Sequence, residues 1–233
     1  MGTEVGRIEK EFVFKSLVDD SASCDLHGSR KEFRCCFAGV TNDRLELRPT
    51  EEKLEGFTVG EDVRIFFYLK NNYHTFASHT WIATDNHPGI AWADPDQIKA
   101  DVSAAKLKAD LVIVLLHSGI EISTYISNIT DDQRLEAHTA IDAGAALVIG
   151  SHPHVLQQME RYHGGLIAYS LGNFVFDQYK GVADATIILR VVLTRDGVQS
   201  YDYVPALIDN GLPHVITEDL APAIGTLVAP VNP

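Results

Sequence analysis

The chain has 233 residues, of which 45% are hydrophobic and 22% are charged, as expected for a globular protein of one large or two small domains. Its formal net charge of -13 repels polyanions, so we expect no nucleic-acid partner. The longest apolar run covers 111–116, far short of the roughly 20 residues of a membrane span, and the N-terminus lacks the apolar core of a secretory signal. The three cysteines, without a CxxC spacing, argue against a disulfide framework or a zinc ribbon.

The first third of the chain has weak periodicity and contributes little to a functional interpretation. Its clearest element is VRIFFYLK at 63–70, a strand by its β-branched and aromatic content. We therefore divide the chain into an N-terminal segment of unclear fold, 1–83, and an α/β part, 84–233.

The signals sharpen from about residue 84. Asp94 is placed to cap a helix, with Pro95 at its first position and Gln97 three residues after the cap. Apolar residues then recur at helical spacing. The continuous apolar run at 111–116 is typical of a strand buried on both faces.

A second helix and strand follow in the same order. Thr130 and Gln133 occupy the positions of a capping box, and Gly144 is a natural helix stop. The run ALVIG at 146–150 predicts another buried strand. Alternating helices and buried strands with short links predict a parallel βαβ crossover.

The pattern changes to antiparallel after residue 150. Two hairpins are predicted, one over 155–172 with a turn at 163–165, and one over 185–208 with a turn at 196–197. The proline-rich tail predicts no definite element. The fold class expected is α/β, a layered α/β core with antiparallel strands at one side.

Histidines follow both buried strands. His117 comes directly after the first strand with Glu121 four residues later, and His152 and His154 follow the second around Pro153. Because ligand sites of open α/β sheets lie beyond the carboxyl ends of the strands, we expect the three histidines to share one edge. We also expect Pro153 to hold the loop extended, so that His152 and His154 point the same way.

Three imidazoles at one edge predict a site for a divalent metal such as Zn, Fe, Mn or Ni. Glu121 is placed either to orient a histidine or to transfer a proton. A further stretch, SLGNFVFD at 170–177, contains Asn173, whose amide can serve a ligand or a loop carbonyl. By itself that stretch is typical of a turn with Phe174 and Phe176 in the core.

Three segments together resemble the bacterial capsule-synthesis CapA family, the poly-γ-glutamate biosynthesis proteins with a calcineurin-like metallophosphatase fold. They are ADLVIVLLHSGIE (109–121), AIDAGAALVIGSHPHVLQ (140–157) and GGLIAYSLGNFVFD (164–177). The resemblance covers roughly residues 84–205. It implies a layered α/β sandwich with a metal centre at the strand ends.

The resemblance also implies roles for individual residues. His117 and Glu121 match the family's His-Trp-Gly-x-Glu, His152 and His154 its Gly-x-His-Pro-His, and Asn173 its Ser-Leu-Gly-Asn-Phe. His117, His152 and His154 are then the candidate ligands of Mn, Fe or Zn. His117, Glu121 and His152 are the candidate catalytic groups, and Asn173 is a candidate cofactor-binding residue.

The sequence departs from the family pattern in three places. Ser118 replaces the family's Trp, which we expect to alter the pocket wall. The Gly-Asp dipeptide of the family is absent from the sequence, and Asn71-Asn72-Tyr73-His74 only approximates its Asn-Asn-His. The fold is therefore expected to be incomplete or diverged in its N-terminal half.

These features lead to one leading interpretation and two alternatives. The leading one is a CapA-like protein linked to capsule or poly-γ-glutamate synthesis, acting as a metal-dependent hydrolase or transferase on a polymer or small anionic substrate, with other capsule-synthesis proteins as partners. The first alternative is a degenerate member that binds polymer or partner without turnover, which the missing Gly-Asp favours. The second is a calcineurin-like phosphoesterase. The sequence gives no cellular location.

Overall fold

The structure, a computed structural model, describes residues 10–15, 57–59, 63–73, 82, 91–120, 128–176, 181–216 and 221–229. The strands of this part, in chain order, are β1 (Lys10–Lys15), β2 (Phe57–Val59), β3 (Val63–Tyr73), β4 (Leu111–Gly119), β5 (Leu147–Ser151), β6 (Met159–Tyr162), β7 (Gly165–Ala168), β8 (Ala185–Thr194), β9 (Gly197–Asp209) and β10 (Leu212–Val215). The α-helices are α1 (Pro95–Lys106), α2 (Asp131–Asp142) and α3 (Ala221–Val228), and a short 3-10 helix covers Gly181–Asp184.

The strands form two sheets. One has the order β2-β3-β4-β5-β7-β6, and the other has the order β1-β8-β9-β10. In the larger sheet β3, β4, β5 and β7 are parallel, whereas β2 and β6 at its edges pair antiparallel. The smaller sheet is antiparallel throughout. The predicted crossover, β4-α2-β5, and the predicted hairpins, β6-β7 and β8-β9, are confirmed.

Both predicted helix starts are confirmed at the level of the caps. The side chain of Asp94 accepts a hydrogen bond from the backbone N–H of Gln97 at 3.1 Å. Thr130 Oγ1 accepts from the N–H of Gln133 at 3.1 Å, and the Gln133 side chain accepts from the N–H of Thr130 at 3.0 Å. Gly144, in the left-handed region at φ 109°, follows the end of α2. These caps fix where each helix begins relative to the strand beside it.

The larger sheet lies between two hydrophobic clusters, because side chains on a strand alternate between its faces. Val112, Val114 and Leu116 of β4 pack in a cluster with α1 and α2. Ile113 and Leu115 pack in the other cluster, which includes the inner face of β8 and is the core between the two sheets. Helices on one face and a second sheet on the other give the layered α/β sandwich that the sequence predicts.

The C-terminal helix α3 has no counterpart among the elements expected from the sequence. Its buried residues Ile224 and Val228 belong to the core between the sheets. Apolar residues four apart lie on one face of a helix, so both side chains face the core. Their burial there stabilises the helical form of this short segment.

Strands from the first third of the chain belong to the same two sheets. The predicted strand at 63–70 is confirmed as part of β3, which pairs with β4 from Ile65 beside Leu111 to Tyr73 beside Gly119. β1 pairs with β8. The proposed boundary at residue 83 lies outside the described residues and stays a prediction. In the described part, no helix has the length and apolar composition to cross a membrane.

Candidate functional site

The candidate site begins where β4 and β5 end. His117 lies on β4 in register with Ser151, the last residue of β5, because the two strands are parallel and adjacent. Nδ1 of His117 lies 3.1 Å from Oγ of Ser151, within hydrogen-bond distance. Side chains alternate between the faces of β4, so His117 lies on the same face as Ile113 and Leu115. The site therefore lies on the face of the larger sheet that packs against the smaller sheet.

The loop after β5 differs from the extended geometry expected of it. His152 has a φ of 103° and His154 a φ of 59°, both in the left-handed region, and each side chain is 4% exposed. The loop turns back so that Leu156 pairs with Leu171. Tertiary pairing therefore overrides the local preference of the residue before proline, and the expectation of extended geometry was wrong.

Left-handed geometry at these positions is energetically unfavourable for histidine. Each such residue costs on the order of 1–3 kcal/mol and persists where the surrounding structure enforces it. Here both histidines are buried, and the backbone N–H of Gln157 just after them donates to the carbonyl of Ser170 at 3.1 Å. Such strain, held by buried contacts, is common at functional sites.

The loop brings the three predicted histidines together at one edge of the larger sheet. The ring centroids of His117 and His152 are 4.8 Å apart, and those of His152 and His154 are 6.2 Å apart. Two imidazoles on one zinc ion, at bond lengths of about 2.0–2.1 Å, have ring centroids roughly 4.5–6 Å apart. The spacing of His117 and His152 falls in that range, and His154 lies slightly farther from His152.

The site favours neutral imidazoles. Burial, together with repulsion from His152 and His154, lowers the pKa of His117 to about 3. Burial and repulsion from His154 lower the pKa of His152 to about 4. Both rings are thus uncharged near pH 7, which is the form that binds a metal ion.

Asn173 is buried against His154. Its Nδ2 donates to the backbone carbonyls of His154 and Ala183, each at 3.2 Å, and its Oδ1 lies 2.7 Å from Nδ1 of His154. Of the two uses expected for this amide, the structure shows contact with loop carbonyls. A direct role in cofactor binding stays a prediction.

The two phenylalanines that follow Asn173 differ in burial. Phe174 is buried, as predicted. Phe176 is half-buried, and its ring centroid lies 4.9 Å from that of His154. Phe176 therefore forms one side of the pocket around His154.

Ser118 does not form the wall of the histidine site, contrary to expectation. It is buried on the opposite face of β4 from His117, and its hydroxyl donates to Oε2 of Glu136 on α2 at 2.6 Å. A small cavity on that face is lined by Ser118, Gln133 and Tyr169, among others. Ser118 thus packs between the sheet and α2.

Ser151 is the site residue that sequence reasoning missed. The available signal was its position, since it is the last residue of β5 and adjoins His152. Ser151 is in register with His117 on the adjacent parallel strand. Its hydroxyl is therefore placed to orient this predicted ligand.

Several predicted positions lie outside the described residues. Glu121 is among them, so its predicted role beside the histidines stays a prediction, and His74 of the approximate Asn-Asn-His motif lies there too. Asn71 and Asn72 lie at the end of β3, in register with His117 and Ser118.

Within the described ranges, no three His, Cys, Asp or Glu side chains are grouped closely enough to hold a metal ion. The described part thus brings His117 and His152 together as a close pair, with His154 farther from His152.

The sequence and this arrangement agree with one protein family. Residues 59–178 match the family described as "Bacterial capsule synthesis protein PGA_cap", and the chain belongs to it. The match includes β3, which lies before the region where the motifs are clear, and it ends just after Asn173.

Individual relatives support the same assignment. The chain is 34% identical over 172 residues to the PGA biosynthesis protein CapA of Bacillus subtilis (strain 168), covering 70% of this chain and 44% of the relative. It is 38% identical over 143 residues to the capsule biosynthesis protein CapA of Bacillus anthracis, covering 60% of this chain and 34% of the relative. The chain thus spans less than half the length of these curated relatives.

Among solved structures, a proposed 5'-nucleotidase from Staphylococcus aureus in complex with alpha-ketoglutarate has 18% sequence identity to the chain and a TM-score of 0.44. That match covers 76% of this chain and 34% of the other.

Proposed function

We propose that this chain acts in the synthesis of a capsule or poly-γ-glutamate polymer and that its histidine site binds a divalent metal ion, Mn, Fe or Zn. The observation that carries the metal proposal is the pair formed by the half-buried His117 and the buried His152, which are uncharged near pH 7 and have ring centroids 4.8 Å apart. Membership of the capsule synthesis family supports the biological role.

The ligands in this proposal are His117, His152 and His154, and Glu121, which lies outside the described residues, is the candidate supporting group. A bound divalent ion supplies Lewis acidity at an oxygen of the substrate. Ser151 and Asn173 hold two of the imidazoles by hydrogen bonds to their Nδ1 atoms. His117, Glu121 and His152 remain the candidate catalytic groups.

Charge gives a second argument for an ion at this site. Poly-γ-glutamate has a carboxylate on every residue, and the chain has a formal net charge of -13. Two acidic polymers repel each other. A divalent cation held by neutral imidazoles would offset that repulsion where the polymer binds, without adding a basic patch to the protein.

The test is metal content combined with substitution. Purified protein loaded with Mn²⁺ or Zn²⁺ and then desalted is expected to retain metal, and His117→Ala, His152→Ala and His154→Ala are each expected to lower the retained amount. The matched control is His163→Ala. His163 lies exposed in the β6-β7 turn, where it is hydrogen-bonded to Asp142 of α2. Retention of the same metal content by all three site variants would contradict the assignment.

The non-catalytic alternative rests on the sequence, which lacks the family's Gly-Asp dipeptide. Turnover assays distinguish the two functions. Metal-dependent cleavage or transfer of poly-γ-glutamate supports an enzyme, whereas metal-dependent binding without turnover supports a binding protein. Hydrolysis of simple phosphate esters in the same assays would instead support the phosphoesterase alternative.

A further inference from the structure

Asn173 is held in one orientation by its own hydrogen bonds. The backbone carbonyls of His154 and Ala183 are acceptors, so the side-chain atom 3.2 Å from both is the NH2 group. The remaining atom, 2.7 Å from Nδ1 of His154, is then the amide oxygen, which can only accept. The two carbonyls therefore fix which end of the amide faces His154.

This orientation determines the tautomer of His154. Because the amide oxygen accepts, Nδ1 of His154 must carry the proton, and in the neutral ring the lone pair is then on Nε2. Asn173 is 1% exposed and His154 is 4% exposed, so water does not readily replace this hydrogen bond.

We propose that Asn173 is a positioning residue that locks His154 in the Nδ1–H tautomer and thereby presents Nε2 as the metal-binding atom. The metal-binding part of this inference rests on the proposed function, whereas the tautomer does not. Groups that orient a metal-binding histidine in this way typically account for about 10- to 100-fold of metal affinity.

The experiment measures the tautomer directly in metal-free protein. Long-range 1H–15N correlation spectra of histidine-labelled protein report which ring nitrogen carries the proton, and the His154 signals are identified as those missing in His154→Gln. At an alkaline pH, where the imidazole is neutral, we expect a protonated Nδ1 and an unprotonated Nε2 in the native chain. A protonated Nε2 on His154 of the native chain would by itself overturn the proposal.

Two substitutions separate positioning from general structural support. Asn173→Ala, which removes the acceptor for Nδ1, is expected to move a measurable fraction of the proton to Nε2. Persistence of the Nδ1–H tautomer in Asn173→Ala would contradict the proposal.

Thr186→Val is the matched control. Thr186 is fully buried, and its hydroxyl donates to the carbonyl of Leu171 at 3.0 Å, which anchors the same segment. We expect Thr186→Val to lower stability while leaving the tautomer and Zn²⁺ affinity unchanged, and Asn173→Ala to weaken Zn²⁺ binding about 10- to 100-fold. If the native chain takes up no Zn²⁺, the proposed function fails, while the tautomer result still stands.

Discussion

His117 and Ser151 lie side by side at the ends of adjacent parallel strands, with Nδ1 of His117 3.1 Å from Oγ of Ser151. The register of β4 and β5 places these two residues side by side, so the pairing that builds the sheet also positions a candidate ligand. The imidazole is held before any ion binds.

The first prediction concerns this contact. Ser151→Ala removes the hydroxyl that orients His117, and we expect it to weaken Zn²⁺ or Mn²⁺ binding about 10- to 100-fold while lowering stability by about 1 kcal/mol. Isothermal titration calorimetry and urea unfolding measure the two effects separately.

Ser118→Ala is the control for that experiment. Ser118 lies on the opposite face of β4 and donates to the buried Glu136, so its loss leaves a buried acceptor with one bond fewer. We expect lower stability, by about 1–3 kcal/mol, with metal affinity unchanged. Equal losses of affinity in both variants would mean that the effect is not specific to the histidine face.

The second prediction concerns Gly150, the residue before Ser151 on β5. A Cβ at this position would lie 2.0 Å from the backbone carbonyl oxygen of Tyr169, closer than any real contact. Backbone cannot move aside cheaply, so we expect Gly150→Ala to destabilise the fold by about 4 kcal/mol or more. Chemical denaturation measures the difference.

The comparison for Gly150 is Gly164→Ala. Gly164 has a φ of 89°, but no atom lies within 4 Å of the position that an alanine methyl group would take, so only backbone strain of about 1–2 kcal/mol is expected. If the two variants were equally stable, close packing at the end of β5 would not be the constraint on Gly150.

The third prediction concerns pH and the buried carboxylate Glu160 on β6. It accepts hydrogen bonds from the Tyr169 hydroxyl at 2.6 Å and from Nε2 of His138 at 3.1 Å, and Arg134 lies 3.3 Å away. Burial raises the pKa of Glu160, but the hydrogen bonds from Tyr169 and His138 and the charge of Arg134 outweigh it, so the net shift is downward.

A carboxylate whose pKa is lower in the folded than in the unfolded state stabilises the fold above its unfolded value, here 4.5, and loses that contribution as pH falls below it. We expect Glu160→Gln to cost about 2 kcal/mol at pH 7 and progressively less below pH 4.5, as measured by urea unfolding. A cost that does not change with pH would contradict this account. Asp202→Asn, in an exposed pair with Arg190, is the control and should change stability by less than about 1 kcal/mol.

The fourth prediction concerns polymer binding. If an ion at the histidine site offsets the repulsion between two acidic chains, binding of poly-γ-glutamate should require Mn²⁺ or Zn²⁺ and be lost on chelation. Co-sedimentation or calorimetry with and without metal measures this. Binding that is unaffected by chelator, and equal in His152→Ala, would place the polymer elsewhere on the protein.

The sequence predicts best those elements that are determined by interactions between residues close together in the chain. Asp94 and Thr130 cap helices because their side chains satisfy backbone N–H groups within three residues. The apolar run at 111–116 is buried on both faces because its strand lies between helices and a second sheet. The gathering of His117 and His152 follows from these elements, since parallel neighbours end at the same edge of the sheet.

The features that escape prediction depend on tertiary contacts. The left-handed geometry of His152 and His154 occurs in a loop that turns back to pair Leu156 with Leu171, and no local pattern reveals that pairing. The contact of Ser151 with His117 depends on strand register, which is set by the core. The position of Ser118, by contrast, follows from the two-residue alternation of β4 once His117 is assigned to the opposite face.

The most direct test of a metal ion at the histidine site is anomalous diffraction from crystals grown with Zn²⁺ or Mn²⁺. We expect an anomalous peak within bonding distance of the imidazole nitrogens of His117 and His152. An ion bound only elsewhere, or no ion at this edge of the sheet when the metal is in excess, would contradict the proposal.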